Sequence, residues 1–225
     1  ALGARVSIGA IKADWQGLNP RLELSSVQVH DGVAAPVLTL PSVSAVLAWR
    51  SILTLSPKLV RLRLEQPELT LRRDTDNHLW VAGQSIDLNA SDHRSDLDHP
   101  ALRWLTAQRE LLIRGATIRW QDEMRQAPDL VLSNVDFLVR NGSLSHRFVL
   151  RADADPALGR KLDLRGEFNR SLFAGDASNP ANWSGELYAA VDDAEPQAWA
   201  PWAPPPPIKG RISGRAWLQL DHGKF

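Results

Sequence analysis

The 225-residue chain balances 26 Lys and Arg against 26 Asp and Glu and contains no cysteine. That balance, with both signs interspersed, excludes a general nucleic-acid binder, which needs a basic footprint. The lack of cysteine excludes disulfide staples and thiolate metal sites, and no run of apolar residues is long enough to cross a membrane as a helix.

In chain order, residues 1–20 lead through Trp15 and a turn at Gly17-Leu18-Asn19-Pro20 into the first of five stretches that share one apolar spacing. This first stretch is Leu22, Leu24, Val27 and Val29. The second is Leu38, Leu40, Val43, Ala45 and Leu47, running towards Trp49. Residues Arg50–Leu55 are predicted to make one helical turn before Pro57. The third stretch, Leu62, Leu64, Pro67, Leu69 and Leu71, lies within a long strand from Leu59 to Arg73. Asp74-Thr75-Asp76-Asn77 then turns the chain into His78-Leu79-Trp80-Val81. Residues 83–98 read as polar and irregular, a place where the chain could subdivide, with residues 92–99 as a polar loop. A short helix is predicted from a cap at Asp98, with Pro100 in its first turn, to about Gln108, where it would plug one end of the sheet.

The fourth stretch is Leu111, Ile113, Ala116, Ile118 and Trp120, and the fifth is Leu130, Leu132, Val135, Phe137 and Val139. Asn141-Gly142 turns into Arg147–Asp153. Further alternating runs lie at Lys161–Phe168, Trp183–Val191 and Ile208–Leu220. Between the last two, residues 194–207 read as a short helix followed by a proline-rich connector. The opening has no initiator Met and the end stops just after a strand-like run, so the chain is expected to be one segment, 1–225, of a longer protein.

The shared spacing has a physical meaning. Alternation with period two marks a strand with one apolar and one polar face, and a one-residue slip would turn the second half of each strand over. A β-bulge at the step would restore the common face. The step pairs Ser25-Ser26, Pro41-Ser42, Glu65-Gln66, Arg114-Gly115 and Ser133-Asn134 carry the small, Pro and Gly residues that bulges tolerate. The predicted class is therefore mainly β: a strongly bent, bulged antiparallel sheet with one continuous apolar face and two or three short helices. Pattern alone leaves open whether that face is a dry sandwich or barrel core.

Catalytic signals are weak. There is no Gly-x-Ser-x-Gly, no His-Glu-x-x-His and no phosphate-binding glycine loop. His30-Asp31 and His146 sit at strand ends, and Asp122 and Glu123 read as an ordinary charged turn. The densest set of potential metal ligands, Asp92, His93, Asp96, Asp98 and His99, has no predicted element to hold it and matches no ligand spacing. Neither a catalytic nor a metal site is expected, and no cofactor.

Several segments taken in order resemble AsmA-like proteins, closest to the YhdP branch. Trp15-Gln16-Gly17-Leu18-Asn19-Pro20 followed by Val27-Gln28-Val29-His30-Asp31 is similar to their N-terminal portion. The stretch from Leu59 through Pro67 to Arg73-Asp74, with Trp80 after it, matches a "strand, Pro, strand, Arg-Asp, Trp" signature. Leu112 to Glu123, Trp183-Ser184-Gly185-Glu186-Leu187-Tyr188 and the pair Trp199/Trp202 also fit, whereas the loop at 91–99 and the four prolines do not map.

The resemblance implies a taco-like apolar groove in a bridge-like lipid carrier. Such a protein is anchored in the bacterial inner membrane, extends through the periplasm and supports the outer-membrane permeability barrier. It implies phospholipid as the partner, with both membranes reached through regions outside this segment, no nucleic acid and no catalytic residues. The residues expected to line the groove are Leu22, Leu24, Val27, Val29, Leu38, Leu40, Leu62, Leu64, Leu69, Leu71, Leu111, Ile113, Ile118, Trp120, Leu130, Leu132, Val135 and Phe137. The rival expectation is a periplasmic assembly factor with a closed β core and protein partners at its sheet edges.

Overall fold

The computed structural model describes residues 5–30, 36–49, 58–82, 84–88, 108–142, 144–170, 183–205 and 207–221. They form thirteen strands in one sheet: β1 (Arg5–Gln16), β2 (Asn19–His30), β3 (Leu38–Leu47), β4 (Leu59–Glu65), β5 (Glu68–Arg73), β6 (His78–Val81), β7 (Gln84–Asp87), β8 (Glu110–Asp122), β9 (Ala127–Asn141), β10 (Ser145–Asp153), β11 (Lys161–Arg170), β12 (Trp183–Ala194) and β13 (Ile212–Leu220). The main ladder runs β1–β2–β3, then β4 and β5 in line as two halves of one strand, then β8 through β13 in order. The β6–β7 hairpin pairs with β5 where β3 ends.

Two features correct the sequence reading. The sheet is mixed rather than antiparallel, because β8 runs parallel to both β4 and β5. Alternation reports which face a side chain takes but not the direction of the neighbouring strand. That direction depends on the connection, and a long crossover permits parallel pairing. Nor are there two or three helices among the described residues. The only complete helical element there is a four-residue 3-10 turn at Pro196–Trp199, and Trp49, next to the undescribed residues 50–57, is a single helical residue. The helical turn at 50–55, the predicted helix after Asp98 up to residue 107 and the polar loop 92–99 lie outside the described residues.

Two strands escaped the sequence reading. β1 carries the same spacing as the five stretches, with Val6 and Ile8 before a Gly9-Ala10 step and Ile11, Ala13 and Trp15 after it. The region read as irregular contains β7.

The steps are real but are not five independent bulges. Ser26, Gln66, Gly115 and Asn134 all adopt left-handed backbone, with φ of 53°, 50°, 59° and 48°. Yet the pairing of β2 with β3 and of β4/β5 with β8 keeps the same offset on both sides of the step. Gly9, Ser26, Pro41, Gln66 and Gly115 therefore fall on one line across the sheet, each strand turning over where its neighbour does. Hydrogen bonds continue across that line, with the Gln66 amide donating to the Arg114 carbonyl at 2.7 Å and the Thr117 amide to the Pro67 carbonyl at 2.9 Å. Register shifts that leave an extra residue, as bulges do, occur between β8 and β9 and between β9 and β10.

Candidate functional site: the apolar face

The register assembles the apolar positions into rows running straight across the ladder. One row is Ile11, Leu24, Val43, Leu64, Ile113, Phe137, Leu150 and Leu164. The neighbouring row is Ala13, Leu22, Ala45, Leu62, Leu111, Val139 and Phe148. Beyond the line of turnover, Val27 pairs with Leu40, Ala116 with Val135, and Val29, Leu38, Leu69, Ile118 and Leu132 form a further row. Leu71, Trp120 and Leu130 follow. These rows contain all eighteen positions expected to line a groove.

Packing shows that the two halves share a face. Leu40, on one side of the turnover, packs against the cluster of Val43, Leu59, Leu62 and Leu111 on the other. Ile113 touches that cluster and also the cluster of Ala116, Val135 and Ala152. Without the left-handed residue in β2, β4/β5, β8 and β9, an odd spacing such as Leu24 to Val27 would place the second half on the opposite face.

This surface is not the inside of a closed barrel. Among the described residues every pair of strands in substantial contact is a hydrogen-bonded neighbour, so no second layer packs across the face. Most of its side chains are therefore half-buried, shielded by neighbours in the same sheet; Val135 at 2% exposed is the extreme and Leu22 at 36% is open to solvent.

The face also extends further than the shared spacing indicated. Phe148, Leu150, Leu162, Leu164, Leu187 and Ala189 continue the rows through β10, β11 and β12. The available signal was plain alternation: β10 and β11 lack the step, and β12 has it only at its end, where Asp193 is left-handed with φ of 54° and the register with β13 shifts between Val191 and Ala194. Phe148 and Phe168 stack at 6.1 Å between ring centroids. Gly166 makes room for them, since a Cβ there would come 2.3 Å from Phe148 and 2.7 Å from Phe168.

The opposite face is held by ion pairs that follow the register. Glu110 bridges Arg61 at 2.6 Å and Arg140 at 3.0 Å, Arg147 meets Glu167 at 2.5 Å, and Asp163 joins Arg165 and Arg151. Burial pushes the Glu110 carboxyl up, but the two arginines outweigh it and hold it below the usual range.

One charged pair sits on the apolar side. Arg73 and Asp122, cross-strand partners at the end of β5 and β8, make a two-pronged contact whose Nε–Oδ1 arm is 3.0 Å. Their side chains are 16% and 2% exposed. Asp122 also accepts the Arg125 amide at 3.1 Å, and the Arg73 guanidinium lies 5.9 Å from the Trp120 ring. Asp122 thus does more than serve the charged turn expected of it: it ends the apolar surface with a satisfied polar contact.

Next to it, Asp74 explains why Arg-Asp is followed by Trp. Its carboxylate accepts the Trp80 indole N–H at 2.8 Å and the backbone amides of His78 and Asp76. The Trp80 bond, then the His78 amide, hold the Asp74 carboxyl below its ordinary range. Asp76 and His78 bring potential ligand atoms within 4.8 Å of Asp74, but Asp74's oxygens are already committed to shaping this turn. The cluster at 92–99 lies outside the described residues.

The connector after β12 is anchored by its tryptophans: the Trp199 indole donates to the Leu158 carbonyl at 2.9 Å and the Trp202 indole to the Pro128 carbonyl at 3.0 Å. The two rings meet edge-on at 6.1 Å. This accounts for the Trp pair as packing of the connector against the β8–β9 and β10–β11 ends of the sheet.

Comparison with known proteins adds one finding: the family model described as YhdP protein matches residues 1–225. No curated protein and no solved structure matches the chain.

Proposed function

From the premise that this chain belongs to the YhdP family, we propose that it is a periplasmic β-groove segment that shields phospholipid acyl chains during transport between the inner and outer membranes. In this reading it is part of an inner-membrane-anchored protein that supports the outer-membrane permeability barrier, and it works without catalysis. The observation that carries the reading is an apolar face continuous over neighbouring strands, with no second layer across it among the described residues, and backed by an ion-paired polar face.

The energetics favour such a surface. Exposing an acyl chain to water costs about 0.8 kcal/mol per CH₂, so a sixteen-carbon tail faces a barrier of roughly 13 kcal/mol. A run of interchangeable Leu, Val and Ile side chains lowers that barrier evenly along the path. A tight polar site would instead trap the lipid.

The test is photo-cross-linking in cells at single positions of the full-length protein. Cross-linkers at Leu24 and Ile113, on the apolar face, should yield phospholipid adducts, and those at Ser44 and Leu112, on the opposite face, should not. Equal labelling of the two faces, or no lipid adduct at Leu24 and Ile113, would overturn the reading. The rival scaffold with a closed core is disfavoured by the openness of the sheet.

A further inference from the structure

The polar face is not uniformly a lattice of ion pairs. Over β11, β12 and β13 it holds a depression of about 790 Å³ whose chemistry differs from the rest. Its floor follows the register: Arg165, Tyr188 and Trp217 are successive cross-strand partners, as are Asp163, Ala190 and Arg215. The alternate residues Leu164, Ala189 and Ala216 belong to the apolar face, so the depression lies on the reverse side of the proposed lipid path.

Three features define what it would bind. The first is an aromatic platform. Tyr188 and Trp217 meet at 5.3 Å with planes tilted by 60°, and Trp217 is 67% exposed. Arg165 lies 5.4 Å from the Tyr188 ring and is fixed there by Asp163, through contacts of 2.8 and 2.5 Å. The second is uncommitted positive charge. Lys161 and Arg215 both line the depression and are exposed, and neither makes an ion pair among the described residues, whereas Arg165 beside them is held by Asp163. The third is a carboxylate acceptor. Asp192 accepts the Ser213 hydroxyl at 3.2 Å through one oxygen, and the other meets no donor side chain among the described residues.

We propose that this depression binds an acidic oligosaccharide, a glycan of pyranose rings bearing carboxylate groups. The C–H face of a pyranose ring stacks on an exposed indole, which presents a flat apolar surface at low entropic cost. Sugar hydroxyls need both donors and acceptors, and Asp192 supplies an acceptor beside the cations, held in place by the Ser213 hydroxyl, which itself accepts the Asp193 amide at 2.9 Å. The carboxylate meets Lys161 and Arg215, where charge-assisted hydrogen bonds are the stronger kind. A polyphosphate or nucleic-acid strand has similar attractions to the cations and the indole, but its dense negative charge would meet Asp163 and Asp192 in the same depression. The formal charge of the whole chain is also zero, whereas polyanion binders depend on a strong positive field. The site lies on the opposite face from the proposed lipid path and does not rest on that reading.

The experiment is a titration of the 225-residue chain with tri-galacturonate, followed by calorimetry and by the indole N–H resonance of Trp217. Maltotriose serves as the uncharged probe and tripolyphosphate as the non-saccharide anion. Saturable binding of tri-galacturonate is expected, at least tenfold tighter than maltotriose and weakened by salt. Arg215→Gln and Lys161→Gln should each weaken it severalfold, and the pair together with Trp217→Ala should abolish it. Both cations are exposed, so the Gln variants should keep the circular dichroism of the parent. Absence of saturable binding, equal binding of maltotriose, tighter binding of tripolyphosphate, or binding unaffected by the Gln variants would each overturn the proposal.

Discussion

Arg73 and Asp122 bring two charges to the margin of an apolar surface, and their arrangement decides whether that stabilises or costs. Removing a carboxylate and a guanidinium from water is expensive for each, and the contact offsets it only when the geometry is two-pronged and the remaining valences are filled. Here the Arg125 amide fills one of them. Asp122→Ala would leave Arg73 without its counter-charge, and Arg73, at 16% exposed, reaches water only in part. The expected loss is about 3 kcal/mol, at the low end of the range for breaking a buried pair. It would be read as a lower urea midpoint at unchanged slope. The double variant Arg73→Met with Asp122→Ala should recover most of it. If Asp122→Ala cost less than the exposed Arg147–Glu167 pair, worth at most about 1 kcal/mol, the burial argument would be wrong.

Among the elements, the strands differ in how they secure a common face. β2, β4/β5, β8 and β9 turn over through a left-handed residue, which only Gly adopts without a penalty of about 1–2 kcal/mol. At three of those four positions the residue is Ser, Gln or Asn, so the continuing ladder on either side must offset the strain. β10 and β11 solve a different problem, fitting two phenylalanines onto the sheet, and Gly166 is the solution. Gly166→Ala should destabilise by about 1–3 kcal/mol, because its Cβ overlaps both rings and they must leave their rotamers. Gly214→Ala is the contrast: nothing lies within 4 Å of the added carbon, and a strand alanine there should be neutral or stabilising by up to about 1 kcal/mol. Thermal melts of the two variants test this, and similar shifts for both would refute the steric account.

For the whole molecule, the decisive property is that the described strands do not close into a barrel. The outer edges of the main ladder are β1 and β13, and both are exposed and apolar in part: Val6, Ile8, Ile11 and Trp15 on β1, Trp217 and Leu218 on β13. An exposed edge offers unpaired backbone groups to any other strand. The isolated 225-residue chain should therefore self-associate with rising concentration. Ile11→Lys with Leu218→Lys should reduce that association, followed by sedimentation velocity, without loss of β signal in circular dichroism. A chain monomeric at all concentrations, or association unchanged by the two lysines, would show that these edges are not the adhesive surface.

The sequence by itself determined the faces. Period-two alternation interrupted by a two-residue step is a local property, and it was sufficient to assign Leu24 and Val27, or Ile113 and Ala116, to the same side of a strand; the family likeness was legible in the same motifs. It did not determine partners. Whether five steps are separate bulges or one line across the sheet depends on register, and register is set by residues distant in the chain, such as Leu64 beside Ile113. The parallel entry of β8, the burial of Asp122 against Arg73 and the meeting of Tyr188 with Trp217 likewise exist only once the strands are laid side by side. The physical reason is that alternation is written in bonded neighbours, whereas direction, register and charge pairing come from non-bonded contacts between strands separated by long stretches of chain.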